Sequence, residues 1–110
     1  MNKIAVLTNE KGNIISFDRD GILKVFRMEK GQWIIEDEIE IKDSRKYSIM
    51  ERKKQFQHII DEFDDCNVII GKEIRGVPYD AFRKAKFSIW EFDGRAKDYL
   101  DYILKNKFNN

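Results

Sequence analysis

Lys72, Glu73 and Arg75, held between Gly71 and Gly76, come closer than any other residues of this 110-residue chain to forming a ligand site. The loop GKEIRG sets two cations around a carboxylate. The Val77-Pro78 that follows opens a helix, because proline at a first helical position gives up no intrahelical hydrogen bond. Backbone N–H groups at the start of that helix, with Lys72 and Arg75 nearby, could hold an anionic group through dipole and charge-assisted hydrogen bonds. The loop lacks the Gly-Lys-Ser/Thr ending and the GxGxxG spacing of nucleotide sites. The plainer alternative is that its glycines only allow tight turns at either end of an ordinary βα loop.

Other chemistry-bearing residues are sparse. His58 is the single histidine and Cys66 the single cysteine. A zinc or iron-sulfur site needs several such ligands, and neither residue has a second one at helical spacing. His58 could serve as a single exposed ligand, although the periodicity of its helix turns it toward water. Cys66 heads an apolar strand and reads as an inert core thiol. The acids Glu36, Glu38 and Glu40, and the run Asp61, Glu62, Asp64, Asp65, read as solvated faces rather than a metal cluster. No GxSxG, HExxH or Cys-His-Asp arrangement is present, which leaves nuclease or other hydrolase activity without its machinery.

The elements that must position these residues are legible from periodicity. Residues 3–8 form an apolar strand, 9–13 a turn cluster, and 14–17 the return of an opening hairpin or meander. After the bend 18–21, residues 22–28 and 32–41 make a hairpin. Its second strand alternates, with Trp33, Ile35, Asp37, Ile39 and Ile41 on one face and the three glutamates on the other. Residues 44–63 form a helix whose stripe is Ile49, Phe56, Ile60 and Phe63, with Ile59 at its flank. Residues 66–70 and 87–92 are short strands joined through the helix that starts at Gly76-Val77-Pro78. A last helix covers about 95–106, and only the final few residues look loose. Trp33 and Trp90 fall at strand positions, and Trp33 is partly exposed in this reading. The bend beside Phe17 either ties Asp side chains to backbone amides or presents Phe17 and Arg19 to a partner.

Three or four antiparallel strands followed by helix, strand, helix, strand and helix match an α/β, ribonuclease H-like three-layer architecture. The expected order is 3-2-1-4-5, a mixed sheet with antiparallel N-terminal strands and a parallel βαβ C-terminal half. The right-handed crossover rule puts the first helix on one face and allows the later helices to cover the other. A loop that follows a parallel strand lies at the carboxyl edge of the sheet, where α/β proteins usually bind ligands. Thr8, Asn9, the loop from Gly71 to Gly76, and Asp93-Gly94 should lie there, with Tyr79 of the following helix a further ligand-binding candidate.

Length and charge narrow the functional classes. One domain spanning residues 1–110 is expected, since the chain can build one core and has no spare length for a second. Lys and Arg number 21 against 20 Asp and Glu, a net charge of +1, so no global field draws the chain to nucleic acid or to an acidic membrane. Any anion site must be local. No apolar run approaches the length of a spanning helix and the N-terminus lacks a signal-peptide pattern, so a cytoplasmic location is expected.

The segments IAVLTNEKGNIISFDRDGILKVF, DCNVIIGKEIRGVPYDAF and FSIWEFDG with its terminal helix together resemble the AnfO family, accessory proteins of iron-only nitrogenase. More distantly, the order of elements is similar to the dinitrogenase cofactor-binding family, small ribonuclease H-like domains that carry iron-molybdenum cofactor or its precursors. The resemblance implies a non-catalytic accessory role, with nitrogenase apoprotein or cofactor-assembly proteins as partners. It also implies transient contact with an iron-sulfur species or the iron-only nitrogenase cofactor. Where the cofactor carriers place a histidine-bearing loop, this chain has Ser16 to Gly21 without histidine or cysteine. Outer-sphere holding by Lys72, Arg75 and loop amides is therefore the expected mode, the alternative being docking on nitrogenase through Phe17, Trp33 and Tyr79 without any cluster.

Overall fold

The computed structural model describes residues 3–108, so the expected looseness of the last few residues lies for the most part outside the described chain. The central strand β1 (Lys3–Thr8) is flanked by β2 (Gly21–Glu29) and β3 (Gln32–Ile41) on one side, and by β4 (Val68–Gly71) and β5 (Ser88–Glu91) on the other. The order is β3-β2-β1-β4-β5. The β1–β2 and β2–β3 pairs are antiparallel, and β1–β4 and β4–β5 are parallel. All six residues of β1 are buried, as a central strand covered on both faces requires.

Three helices complete the α/β fold: α1 (Ile49–Asp61), α2 (Val77–Lys84) and α3 (Lys97–Ile103), the last running into a wider turn at Leu104–Phe108. Phe56 and Ile59 of α1 and Phe82 of α2 share one core with Ala5, Leu7, Leu23, Val25 and Ile69. Leu100 and Ile103 of α3 pack on the opposite face with Ile4, Val6, Phe26, Val68 and Ile70. Of the later helices, which the crossover rule allows on the face opposite α1, only α3 lies there, and α2 joins α1. Since β3 runs parallel to β4 and β5, the β3–α1–β4 and β4–α2–β5 crossovers advance the same way across the sheet. Two right-handed crossovers in one direction stay on one face. The shared core is largely aromatic, with Phe17 edge-on to Phe56 at 5.4 Å and Phe82 edge-on to Phe87 at 5.1 Å.

Local chemistry explains where the sequence-based boundaries shift. Helix α1 begins after Ser48, whose hydroxyl accepts from the Glu51 amide at 3.2 Å, rather than at residue 44. Ser44 is buried and takes the Tyr47 amide in a separate turn. Ile49, at the first helical position, is therefore 63% exposed instead of belonging to the apolar stripe.

Strand β3 breaks its alternation. Val25 pairs with Asp37 but Phe26 with Ile35, which leaves Glu36 as an extra, bulged residue. Trp33 and Ile35 consequently face α3, while Ile39 and Ile41 face α1. Glu36 does not share a wet face with Glu38 and Glu40. Its carboxylate meets the buried Lys3 Nζ at 2.7 Å and Arg27 Nε at 3.0 Å, and Lys3 also donates to the Asp64 carbonyl at 2.8 Å.

Residues 14–17 are not a strand of the sheet. They form a strap across the carboxyl ends of β1 and β4. The Ile15 amide donates to Leu7 O at 3.0 Å, and Ile15 O accepts from the Lys72 amide at 3.0 Å. Ile14 donates to Gly94 O at 2.8 Å, and Ile14, Ile15 and Phe17 are all buried.

Two predictions arise from these contacts. A Cβ added at Gly21 would lie 2.6 Å from Ile15 Cδ1 and 3.0 Å from Thr8 O, so Gly21→Ala must move the strap or the backbone of β1. It is expected to destabilise the fold by about 1–3 kcal/mol in urea unfolding. Hydrogen bonding to Lys3 holds the Glu36 carboxyl below the usual carboxylate range, and the same bond raises Lys3. The stability from this pair is complete above the unfolded carboxylate value of about 4.3 and below the unfolded lysine value of about 10.4. It is lost as pH falls through the lowered Glu36 value, or rises through the raised Lys3 value. With the Glu36 side chain 33% exposed, solvent screens the pair, so Glu36→Gln is expected to cost about 1 kcal/mol or less at neutral pH, and to lose less stability than the wild type between about pH 5 and pH 3.

Candidate functional site

The strap decides what remains of the expected site. Thr8 is fully buried and its hydroxyl points to Ile22 O at 3.4 Å. Asn9 turns its side chain back on its own loop, where Oδ1 accepts from the Lys11 and Asn13 amides at 2.9 and 3.0 Å. Neither side chain is presented to a ligand at the sheet edge. The crevice outside β1 and β4 is filled by Ile14 and Ile15, and the expected meeting of Thr8 and Asn9 with the 71–76 loop does not occur.

The loop itself is tied down from both sides. The Lys72 amide is spent on Ile15 O, and the Ile74 amide donates to Glu91 Oε2 at 2.8 Å. A carboxylate from β5 thus sits where the sequence placed an exogenous anion, which corrects the expectation that these two amides are free to hold one. Ile74 is buried beneath the loop. Gly76 caps α2 with φ 66°, a left-handed value that costs glycine little. The side chains of Glu73 and Arg75 are exposed and form a loose pair at 3.7 Å, and Lys72 is exposed with no ion pair among the described residues.

What survives is a groove between α2 and β5. It has a volume of about 570 Å³ and is lined by Ile74, Arg75, Tyr79, Arg83, Phe87, Ile89 and Glu91. Arg83 Nη1 donates to the Tyr79 hydroxyl at 2.9 Å, and its guanidinium lies 6.0 Å from the centre of the Tyr79 ring. An apolar floor of Ile74, Phe87 and Ile89 is therefore edged by two guanidinium groups, one phenol and one carboxylate. Such a surface suits a ligand or peptide segment that is apolar in body and anionic at one end. Arg75 and Tyr79 are among the candidates named from the sequence. Arg83 and Glu91 are not, although Arg83 lies one turn beyond Tyr79 and Glu91 pairs with Gly71 across the sheet.

The remaining expected residues lie apart. Phe17 is buried against Phe56 and Phe82, so it is no surface anchor: the strap needs its ring to seal the core. Trp33 is half-buried and donates from Nε1 to Asp101 Oδ1 at 2.8 Å, which ties β3 to α3 and spends the polar handle a partner would use. Arg19 is exposed beside Asp18 at 3.1 Å. The neighbouring Asp20 accepts from the Asp43 amide, the tie expected of an Asp-rich bend. His58 is exposed on α1, 3.6 Å from Glu62, along a different groove bounded by Asp37, Glu38 and Glu40. Cys66 is buried, and burial pushes its thiol up, away from the reactive thiolate. Among the described residues no three of His, Cys, Asp and Glu are grouped to hold a metal ion. No helix among them is long and apolar enough to cross a membrane.

The Glu91–Ile74 bond predicts a local effect. Glu91→Ala is expected to speed hydrogen exchange at the Ile74 amide by about tenfold or more, since a charge-assisted bond is removed, while amides of β1 keep their protection. Heteronuclear NMR exchange measurements on both proteins check it.

No curated protein and no solved structure matches the chain. A family model described as iron-only nitrogenase protein AnfO does, over residues 3–110, a span that contains every element of the sheet, the strap and the groove. The chain belongs to that family, whose role is accessory to iron-only nitrogenase.

Proposed function

We propose that this protein is a non-catalytic binding module that assists maturation of iron-only nitrogenase, and that the groove between α2 and β5 is its working surface. The observation that carries this reading is the combination of a whole-chain family match with a groove edged by Arg75 and Arg83 over an apolar floor. In the cofactor-delivery form, an anionic iron-sulfur cargo is held from outside its coordination sphere. Arg75, Arg83 and the nearby Lys72 supply charge, and the Tyr79 hydroxyl supplies orientation. The strand order and the helices on both faces support placing the fold among ribonuclease H-like domains, the architecture of the cofactor carriers that the sequence distantly resembles. A cytoplasmic location fits the same reading.

A second form, docking on nitrogenase apoprotein without any cluster, is favoured by one separate observation. Tyr47, Ile49 and Met50 form an exposed apolar run at the start of α1, with Ile49 and Met50 63% and 66% exposed.

Anaerobic titration of the protein with extracted iron-only cofactor, following iron on gel filtration, separates the two. Delivery predicts stoichiometric co-migration, weakened about tenfold or more in Lys72→Ala with Arg75→Ala. Failure to retain iron under conditions where a known carrier retains it, or retention unchanged in the double variant, removes the outer-sphere reading. Docking predicts capture of purified apoprotein that is lost in Ile49→Asp with Met50→Asp.

A further inference from the structure

On the face opposite the α2–β5 groove, four cations from four separate segments line one pocket. They are Lys11 from the turn after β1, Lys24 from β2, Arg95 from the loop after β5, and Lys97 from the first turn of α3. The pocket has a volume of about 220 Å³, and its remaining lining is Thr8, Glu10, Gly12, Phe26, Ile35 and Ala96. Glu10 is the one carboxylate among these residues. Glu38 stands opposite Lys24 in the β2–β3 register, yet none of the four cations has an ion pair among the described residues. Many other cations of the described residues, such as Lys53, Lys54 and Lys84, are likewise unpaired, and what sets these four apart is that they line one pocket.

The walls of this pocket are set by backbone bonds. The Ala96 amide donates to Gly12 O at 3.1 Å, Asn13 bridges Arg95, and the Asn9 side chain fixes the Lys11 turn. Phe26 and Ala96, both buried, close the floor. Four like charges gathered on a fixed frame, in a chain whose net charge is only +1, repel one another unless an anion sits among them. The volume is below that of a typical drug-sized site, so a nucleotide or a metallocluster does not fit.

We infer that this pocket binds a small phosphate-class dianion, inorganic phosphate or the phosphate of a monoester. A tetrahedral dianion offers acceptor oxygens in several directions at once, matching donors drawn from a turn, a strand, a loop and a helix that line one pocket. The inference is independent of the α2–β5 groove, shares no residue with it, and adds a ligand site on a second face.

The test is a titration of the full chain with inorganic phosphate and, separately, methyl phosphate at constant ionic strength, read by ³¹P NMR line broadening and by backbone amide shifts. Saturable binding with shifts confined to Gly12, Lys24, Arg95 and Ala96 is expected. The tighter of the two ligands identifies the source. Lys24→Gln with Arg95→Gln is expected to weaken binding by about tenfold or more, whereas Lys53→Gln with Lys54→Gln, two exposed cations on α1, should leave it unchanged. If the Lys24/Arg95 variant does not fold, Lys97→Gln alone, on an exposed helix position, should weaken binding. Absence of saturable binding, or equal loss in the Lys53/Lys54 variant, overturns the inference.

Discussion

The backbone at the carboxyl end of a parallel sheet must find hydrogen-bond partners, and in this protein residues 12–15 supply them. Ile15 joins the end of β1 to the first loop residue after β4, since its amide takes Leu7 O and its carbonyl takes the Lys72 amide. Ile14 and Gly12 tie the same strap to the chain after β5 through Gly94 O and the Ala96 amide. Three strand ends that are distant in sequence are thus locked by one short segment. Unpaired amides buried at this position would each cost on the order of 1–3 kcal/mol. The strap therefore fixes where every following loop begins.

That constraint also distributes the binding surfaces. In open α/β sheets the crevice beyond the strand ends is the usual ligand site. Here Ile14, Ile15 and Phe17 occupy it with apolar side chains, and Thr8 is sealed beneath them. Surface able to bind is displaced to the flanks. On one flank the 71–76 loop, anchored by the strap at Lys72 and by Glu91 at Ile74, leaves Arg75 and Tyr79 free to edge a groove. On the other, the Gly12–Ala96 bond brings the Lys11 turn against the start of α3. The two surfaces lie on opposite faces of the sheet because α2 and α3 do.

Much of this was legible in the sequence, for reasons specific to each part. The strand order followed from short apolar runs separated by a proline-opened helix, and chain connectivity with crossover handedness leaves few alternatives. The bulge at Glu36 was not legible, because it depends on Lys3, more than thirty positions away, reaching the same carboxylate as Arg27. Strict alternation was the best local reading, and tertiary pairing overrode it. Phe17 was misplaced for a similar reason. Beside an Asp-rich bend it looks exposed, and only the packing of α1 and α2 shows that its ring completes an aromatic core. Arg75 and Tyr79 could be named as candidates because loop chemistry is local. Arg83 and Glu91 belong to a helix face and a strand end that meet only in the folded chain. The cluster of Lys11, Lys24, Arg95 and Lys97 is invisible to any window, being drawn from both ends of the sequence.

A net charge near zero therefore says little about this surface. Around Lys3, a buried ammonium meets a carboxylate that is still partly open to solvent, a pair that fixes register at modest net stability. Around Arg75 and Arg83 the charges are exposed, screened by salt and flexible, as suits reversible capture rather than structure. Under the proposed function, a groove edged by exposed guanidinium groups over an apolar floor would exchange an anionic cargo or a partner segment without breaking a coordinate bond. That placement of exposed charge on the two flanks follows from where the strap leaves room.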